Sequence, residues 1–394
     1  MKILMVLDAN DGRGMYRHGY ILAKELAILK HKVSIVYIDP EESVSHEDNV
    51  KVYKICGFIQ KFGFLYAQSN VRHHAPVPDG VVVKKLEGII EAEQPDLIHV
   101  HGWVLYSVAK LKSKFKVPLI TTLHDYGYFC PTKTLLRDNR HLCEQHSLNG
   151  CLNCGKKFYG VAKDLLTLYG VRTHHNLLNS SVDKYIAVSS YVKQRYVSAG
   201  FPEEKITVIP NFYNPAEMAQ GTNDHVNELP EDFILYVGEF TPFKGVDILA
   251  EAFSGIKTKT KLVLMGRPKY AGLRKDNIIV FENPPRKLVV TAFKKCRFVV
   301  IPSIWADPCP TVAFEAMACG KAIVASNIGG LQDIVKNNKT GILVEPGDKG
   351  KLADVIELSL NKGDYSEKFI NNFFKKHFSL KKVVASINDY YQLA

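Results

Sequence analysis

The chain has 394 residues, of which 46% are hydrophobic and 23% charged, and it carries a formal net charge of +11. That length is too great for one hydrophobic core and suits two domains, and the balance is that of a soluble globular protein. The charge favours an anionic partner such as a nucleotide or an anionic lipid surface. The absence of any nucleic-acid motif argues against nucleic acid.

The N-terminal MKILMVLD reads as a first strand, Lys2 to Ala9, and not as a signal peptide. No stretch approaches the roughly 18 apolar residues of a membrane span. The expectation is a cytoplasmic protein, with peripheral contact at the inner face of the membrane, and eight cysteines that are reduced or metal-bound. Asp11 to Gly14 is a glycine-containing loop, Tyr20 to Leu29 has helical spacing, and Val33 to Ile38 is a second strand. Strand, glycine loop, helix and strand make a Rossmann-like opening. There is no GxGxxG, so a dinucleotide is not indicated.

Further apolar strands are expected at Asp96–Val100, Pro118–Leu123 and Tyr185–Val188, with helical patterns between them. Such strands imply a parallel sheet buried on both faces, which binds ligands beyond the carboxyl ends of its strands. His99, His101 and Trp103 in HVHGW stand at one such end, and His124 in TTLHDYGY at the next.

Two insertions interrupt this half. Gly57 to Pro78 mixes Phe58, Phe62, Phe64 and Tyr66 with Lys61, Arg72, His73 and His74, which suits an acceptor groove, a membrane-interface contact or a packed loop. The second, at about residues 126–160, holds Cys130, Cys143, Cys151 and Cys154, separated by twelve, seven and two residues. A CxxC beside two further cysteines reads as a tetrahedral structural zinc site, with an iron–sulfur cluster or unmetallated thiols as alternatives.

The chain turns polar and irregular between Tyr213 and Pro230. The expected division is a first domain at 1–213, a linker at 214–230, a second domain at 231–375, and a C-terminal helix at 376–394. Strands of the second domain are expected at Phe233–Val237, Leu262–Met265, Ile278–Phe281, Phe298–Ile301, Ala322–Ala325 and Ile342–Val344. VGEFTPFKGVDILAEAF places Lys244 and Gly245 at a helix start, where an ammonium can clamp phosphate. Ile301 to Ser326 reads IPSIWADPCPTVAFEAMACGKAIVAS, a strand, a loop, a helix from about Pro310 to Cys319, and a second strand. The uncapped amides of Thr311 and Val312 at that helix N-terminus suit a diphosphate. Asp307 and Glu315 flank them as acceptors for sugar hydroxyls.

This stretch resembles the signature of the retaining nucleotide-sugar glycosyltransferases of family 4, which have the GT-B fold. Their pattern is Glu, seven residues, Glu, then Ala-Met-Ala-x-Gly and an apolar strand. Asp307 stands at the first Glu and Glu315 at the second, and the resemblance extends over nearly the whole chain. It implies two Rossmann-like α/β domains facing each other across a cleft. It also implies transfer of a sugar from a nucleotide diphosphate to an acceptor hydroxyl by front-face attack, with no enzyme nucleophile and no obligatory metal. Carried over residue by residue, Lys244 and the amides of Thr311 and Val312 stabilise the leaving diphosphate. Asp307 orients the sugar, Glu315 holds the ribose hydroxyls, and His124 positions sugar and phosphate. Base recognition falls around Glu282 to Arg286, largely through backbone.

Gly14 matches the second glycine of the family's opening loop, and Arg13 replaces the first. Glu239 stands where the family has an arginine aimed at the diphosphate, with Arg13 or Arg267 as replacement cations. Pro310 removes an amide that would contact the sugar. Glu239 leaves open a non-catalytic binding protein on the same fold, and another GT-B reaction on a nucleotide sugar is a further alternative.

Overall fold

The computed structural model describes residues 1–8, 14–62, 72–137, 141–143, 150–154, 161–220, 228–268, 272–273, 275–361 and 365–393. The chain forms two compact units. One comprises Met1–Leu135, Glu144–Ile209 and Val384–Ala394, and the other Leu136–Cys143 and Pro210–Val383.

The first unit is built on β1 (Lys2–Leu7), β2 (Lys32–Ile38), β3 (Ser43–Glu47), β4 (Val50–Ile55), β5 (Leu97–His101) and β6 (Leu119–Leu123). Two-residue strands β7 (Leu136–Arg137) and β8 (His141–Leu142), which belong to the second unit, form a separate two-stranded sheet, and β9 (Lys184–Ala187) and β10 (Ile206–Val208) complete the large sheet of the first. Its order is β10-β9-β6-β5-β1-β2-β4-β3, parallel except for β3. Every residue of β5 and β6 is buried, as expected of strands covered on both faces. Parallel neighbours need crossovers, and the helices Gly14–Ile28 and Gly80–Glu93 supply two of them. Asp79 caps the second, accepting from the Val81 and Val82 amides at 2.9 and 3.2 Å.

At the far end of that helix Glu93 is 7% exposed and accepts from Lys51, Tyr53 and Ser34 at 2.7, 2.6 and 3.0 Å. Burial would raise its pKa, but these donors outweigh that and hold it at about 2. The chain's last turn packs on the same sheet, with the Tyr391 hydroxyl 2.5 Å from His99 Nδ1.

The second unit carries β11 (Phe233–Val237), β12 (Lys261–Gly266), β13 (Ile278–Glu282), β14 (Phe298–Ile301), β15 (Ala322–Ser326) and β16 (Gly341–Val344). The order is β13-β12-β11-β14-β15-β16, all parallel. The chain winds outward from β11 to β13 and then resumes at β14 on the other side of β11. The β11/β14 boundary is therefore the topological switch point, where open α/β sheets bind their ligands. In the first unit the equivalent point lies between β1 and β5.

The signature helix spans Thr311–Ala318 and is one residue shorter at each end than the spacing suggests. Pro310 is its N-cap rather than its first turn, and Cys319 its C-cap.

Candidate active site

The loops after β11 and β14 meet at the switch point of the second unit. The turn Pro242–Lys244 is closed by Gly245 at φ +68°, and a Cβ there would lie 1.9 Å from the Pro302 carbonyl oxygen. Only glycine allows both the left-handed backbone and this approach. The approach is held by the Ile304 and Trp305 amides, each donating to the Phe243 carbonyl at 3.1 Å.

It brings Lys244 Nζ within 2.7 Å of Asp307 Oδ2 and 4.7 Å of the Trp305 ring centroid. Lys244 is 26% and Asp307 14% exposed, so the ion pair sits at the rim of the fold rather than out in solvent. Behind Asp307, the Gly330 amide donates to its carbonyl at 2.8 Å, and a Cβ on Gly330 would lie 2.3 Å from the Pro308 carbonyl oxygen. The Ile328-Gly329-Gly330 segment thus supports the signature loop from beneath.

The helix that follows begins at Thr311, and no side chain among the described residues caps it. Thr311 is exposed and Val312 half-buried, so the positive end of the helix dipole is open, four residues after Asp307 in the chain.

Glu315, on the same helix, is 13% exposed and meets Arg286 Nη1 at 3.0 Å. Arg286 Nη2 donates to the Tyr213 hydroxyl at 2.8 Å. Sequence reasoning reached Arg286 only as the edge of a backbone stretch and did not single out Tyr213. One signal was available: Arg286 opens the helix Arg286–Lys295, whose first turn has no acidic residue. A cation at the positive end of a helix calls for a carboxylate from elsewhere. Burial lowers the Arg286 pKa, but the Glu315 hydrogen bond and charge outweigh it and raise it.

Glu239 lies 3.9 Å from Arg267 Nη1, with the two side chains 39% and 50% exposed. Arg267 is therefore the cation beside it. Arg13 lies outside the described residues.

In the first unit, β5 ends in His101 and β6 is followed by His124. His101 Nδ1 and His124 Nε2 are 2.8 Å apart, and His18 packs edge-on to His124 with centroids at 5.0 Å. His99 is bracketed by Tyr391 and by Thr122 Oγ1 at 2.8 Å. Burial pushes His18 and His99 down to about 3. Burial first, then neighbouring histidines, pushes His101 and His124 well below the usual range. The cluster is thus neutral near pH 7 and offers directed hydrogen bonds rather than positive charge.

His101 is fully buried and its Nε2 has no hydrogen-bond partner among the described residues, whereas His124 is half-buried. Trp103 is 6% exposed, donates to the Gly127 carbonyl at 2.9 Å and carries Lys133 3.8 Å over its ring. It packs within the wall of the unit. Gly14 opens its helix at φ +42°.

In the Gly57 to Pro78 insertion Phe58 and Phe62 are exposed and stack edge-on at 5.4 Å, and His74 is buried against Ser107. Phe64 and Tyr66 lie outside the described residues. Cys130 and Cys151 are buried, Cys143 and Cys154 half-buried, and none forms a disulfide. Among the described residues no group of three or more His, Cys, Asp or Glu side chains is arranged to hold a metal ion, so the zinc expectation rests on spacing alone.

The family model described as Glycosyltransferase Family 4 matches residues 12–217, and the model described as Glycosyl transferases group 1 matches residues 222–376. An uncharacterised glycosyltransferase of Methanocaldococcus jannaschii is 30% identical over 78% of each chain. The D-inositol 3-phosphate glycosyltransferase of Acidothermus cellulolyticus is 25% identical over 71% of this chain and 63% of its own. Among solved structures, sucrose-phosphate synthase from Thermosynechococcus elongatus superposes with a TM-score of 0.72 at 17% identity, covering 100% of this chain and 99% of its own. Anabaena HepE in complex with UDP superposes at 0.70 and 18% identity over 100% of each chain. These likenesses identify the fold as GT-B, with two Rossmann-like domains.

Proposed function

The chain belongs to family 4 of the glycosyltransferases, and from that premise we propose that it transfers a hexosyl group from a ribonucleoside diphosphate sugar to an acceptor hydroxyl, with retention at the anomeric carbon. The observation that carries this reading is Lys244 paired with Asp307 beside the uncapped N-terminus of the helix Thr311–Ala318. An ammonium and two helix amides make an anion site, and the carboxylate beside it accepts from hydroxyls.

On donor binding the ammonium of Lys244 turns to the diphosphate and Asp307 takes the sugar hydroxyls. Negative charge grows on the diphosphate as the glycosidic bond breaks, so Lys244 and the amides of Thr311 and Val312 act most strongly in the transition state. The departing phosphate oxygen takes the acceptor proton from the front face, and no enzyme nucleophile or bound metal is required. Glu315 accepts from the ribose. His124, held neutral, donates a hydrogen bond to the sugar or the phosphate.

The UDP complex of HepE supports testing UDP first. The acceptor is a hydroxyl of a glycan, a glycolipid or a small molecule. The net charge of +11 supports peripheral contact with an anionic membrane at its cytoplasmic face, which vesicle sedimentation tests. No described helix is long and apolar enough to cross a membrane.

A thermal-shift panel of UDP, GDP and ADP with their sugars tests the donor site. A nucleotide at 100 times its dissociation constant stabilises by about 2.7 kcal/mol. The expected result is a shift with one base that is weakened in Glu315→Ala. No shift with any nucleotide contradicts the reading. A non-catalytic binding protein is the second reading, favoured by Glu239, and it predicts a shift without turnover.

A further inference from the structure

Glu315 is held by a residue that does not belong to its own strand–helix unit. Arg286, 29 positions earlier, reaches Glu315 Oε2 with one terminal nitrogen and the Tyr213 hydroxyl with the other. Tyr213 is fixed in turn. Its ring is 6% exposed, its amide donates to the Phe378 carbonyl at 3.0 Å, and its carbonyl accepts from Leu380 at 3.0 Å. A buried, backbone-clamped tyrosine thus orients a long flexible cation, and that cation orients a long flexible carboxylate.

We propose that Arg286 and Tyr213 are the positioning residues for ribose recognition, fixing the Glu315 carboxylate before the nucleotide arrives. This rests on the reading that Glu315 accepts from the ribose. A glutamate side chain has several rotatable bonds, and ordering them only on binding weakens the complex. With Arg286 in place the carboxylate is pre-oriented and its charge compensated. The first turn of the Arg286–Lys295 helix supplies no acid of its own, so the position of Arg286 is justified by Glu315. Lysine cannot replace it, because a single ammonium does not span both partners with the planar fork of a guanidinium.

The test compares the nucleoside diphosphate that binds among UDP, GDP and ADP with its 2′-deoxy and 3′-deoxy forms by calorimetric titration. A hydrogen bond to a charged group predicts that one deoxy form binds the wild type roughly 10- to 100-fold more weakly. Glu315→Ala removes this discrimination. Arg286→Ala, Arg286→Lys and Tyr213→Phe should each bring the ratio of the two affinities most of the way to one. A merely structural loss would weaken all the nucleotides together.

Tyr213→Phe deletes one oxygen from a buried ring, so it keeps the question answerable if the arginine variants fold poorly. If Arg286 and Tyr213 variants keep full discrimination while Glu315→Ala loses it, the positioning role is wrong and the ribose role of Glu315 stands. If Glu315→Ala also keeps it, the ribose assignment fails and the proposal with it.

Discussion

Lys244 and Asp307 stand 63 positions apart in the chain and 2.7 Å apart in the fold. Their contact closes the switch point of the second sheet. On the proposed reading this contact pairs the cation for the diphosphate with the acceptor for the sugar hydroxyls. Lys244→Ala should therefore lower turnover by roughly 100-fold, in line with loss of one preorganised charge-stabilising donor, and change the donor Michaelis constant much less. Steady-state kinetics with saturating acceptor measures this. Wild-type turnover in the variant would remove Lys244 from the leaving-group site.

Glu239 is compensated by Arg267 at 3.9 Å. If the donor diphosphate approaches this edge, Arg267→Ala exposes it to an unpaired carboxylate and raises the donor Michaelis constant. Because both side chains are well exposed, the effect should not exceed about five-fold. Glu239→Ala in the same background should restore the wild-type value. An unchanged constant in Arg267→Ala places Glu239 outside the field felt by the donor.

The second unit was legible because its four central strands are short apolar runs buried on most of their length, such as FILYV at β11 and AIVAS at β15. Such runs announce themselves without any partner being known. Strand β3 did not, since SVSHE is polar and largely exposed and its pairing is decided by β4. The signature positions Asp307 and Glu315 were legible by spacing. The ties between them and the rest of the unit were not, because Lys244, Arg286 and Tyr213 reach them only through the fold. The histidine cluster was half visible: His101 and His124 stand at expected strand ends, while His18 joins them from a helix face that periodicity alone does not assign.

Glu93 links folding to pH. Its pKa is depressed to about 2 in the fold against 4.5 when free, despite burial, by Lys51, Tyr53 and Ser34. The unfolded chain therefore takes up this proton first as pH falls. The stabilisation is fully present above pH 4.5 and is lost toward pH 2, on the order of 3 kcal/mol in all. Glu93→Gln should be less stable than wild type at pH 7, and the gap should narrow by pH 3 in urea titrations. A gap independent of pH would assign the loss to packing instead.

The spacing of Cys130, Cys143, Cys151 and Cys154 makes a separate prediction. Protein purified without chelator should carry about one zinc per chain, and Cys151→Ser or Cys154→Ser should lose it together with thermal stability. Elemental analysis that finds neither zinc nor iron reduces the four to ordinary thiols.

Sugar transfer from a nucleotide, with retention, is proposed for the second unit. The most direct measurement is proton NMR of the first-formed sugar anomer when purified protein turns over α-linked nucleotide sugars, with water as acceptor in the absence of a better one. The expected result is release of nucleoside diphosphate and an α anomer that precedes mutarotation, both lost in Lys244→Ala. No release from any nucleotide sugar, or a β anomer formed first, would contradict it.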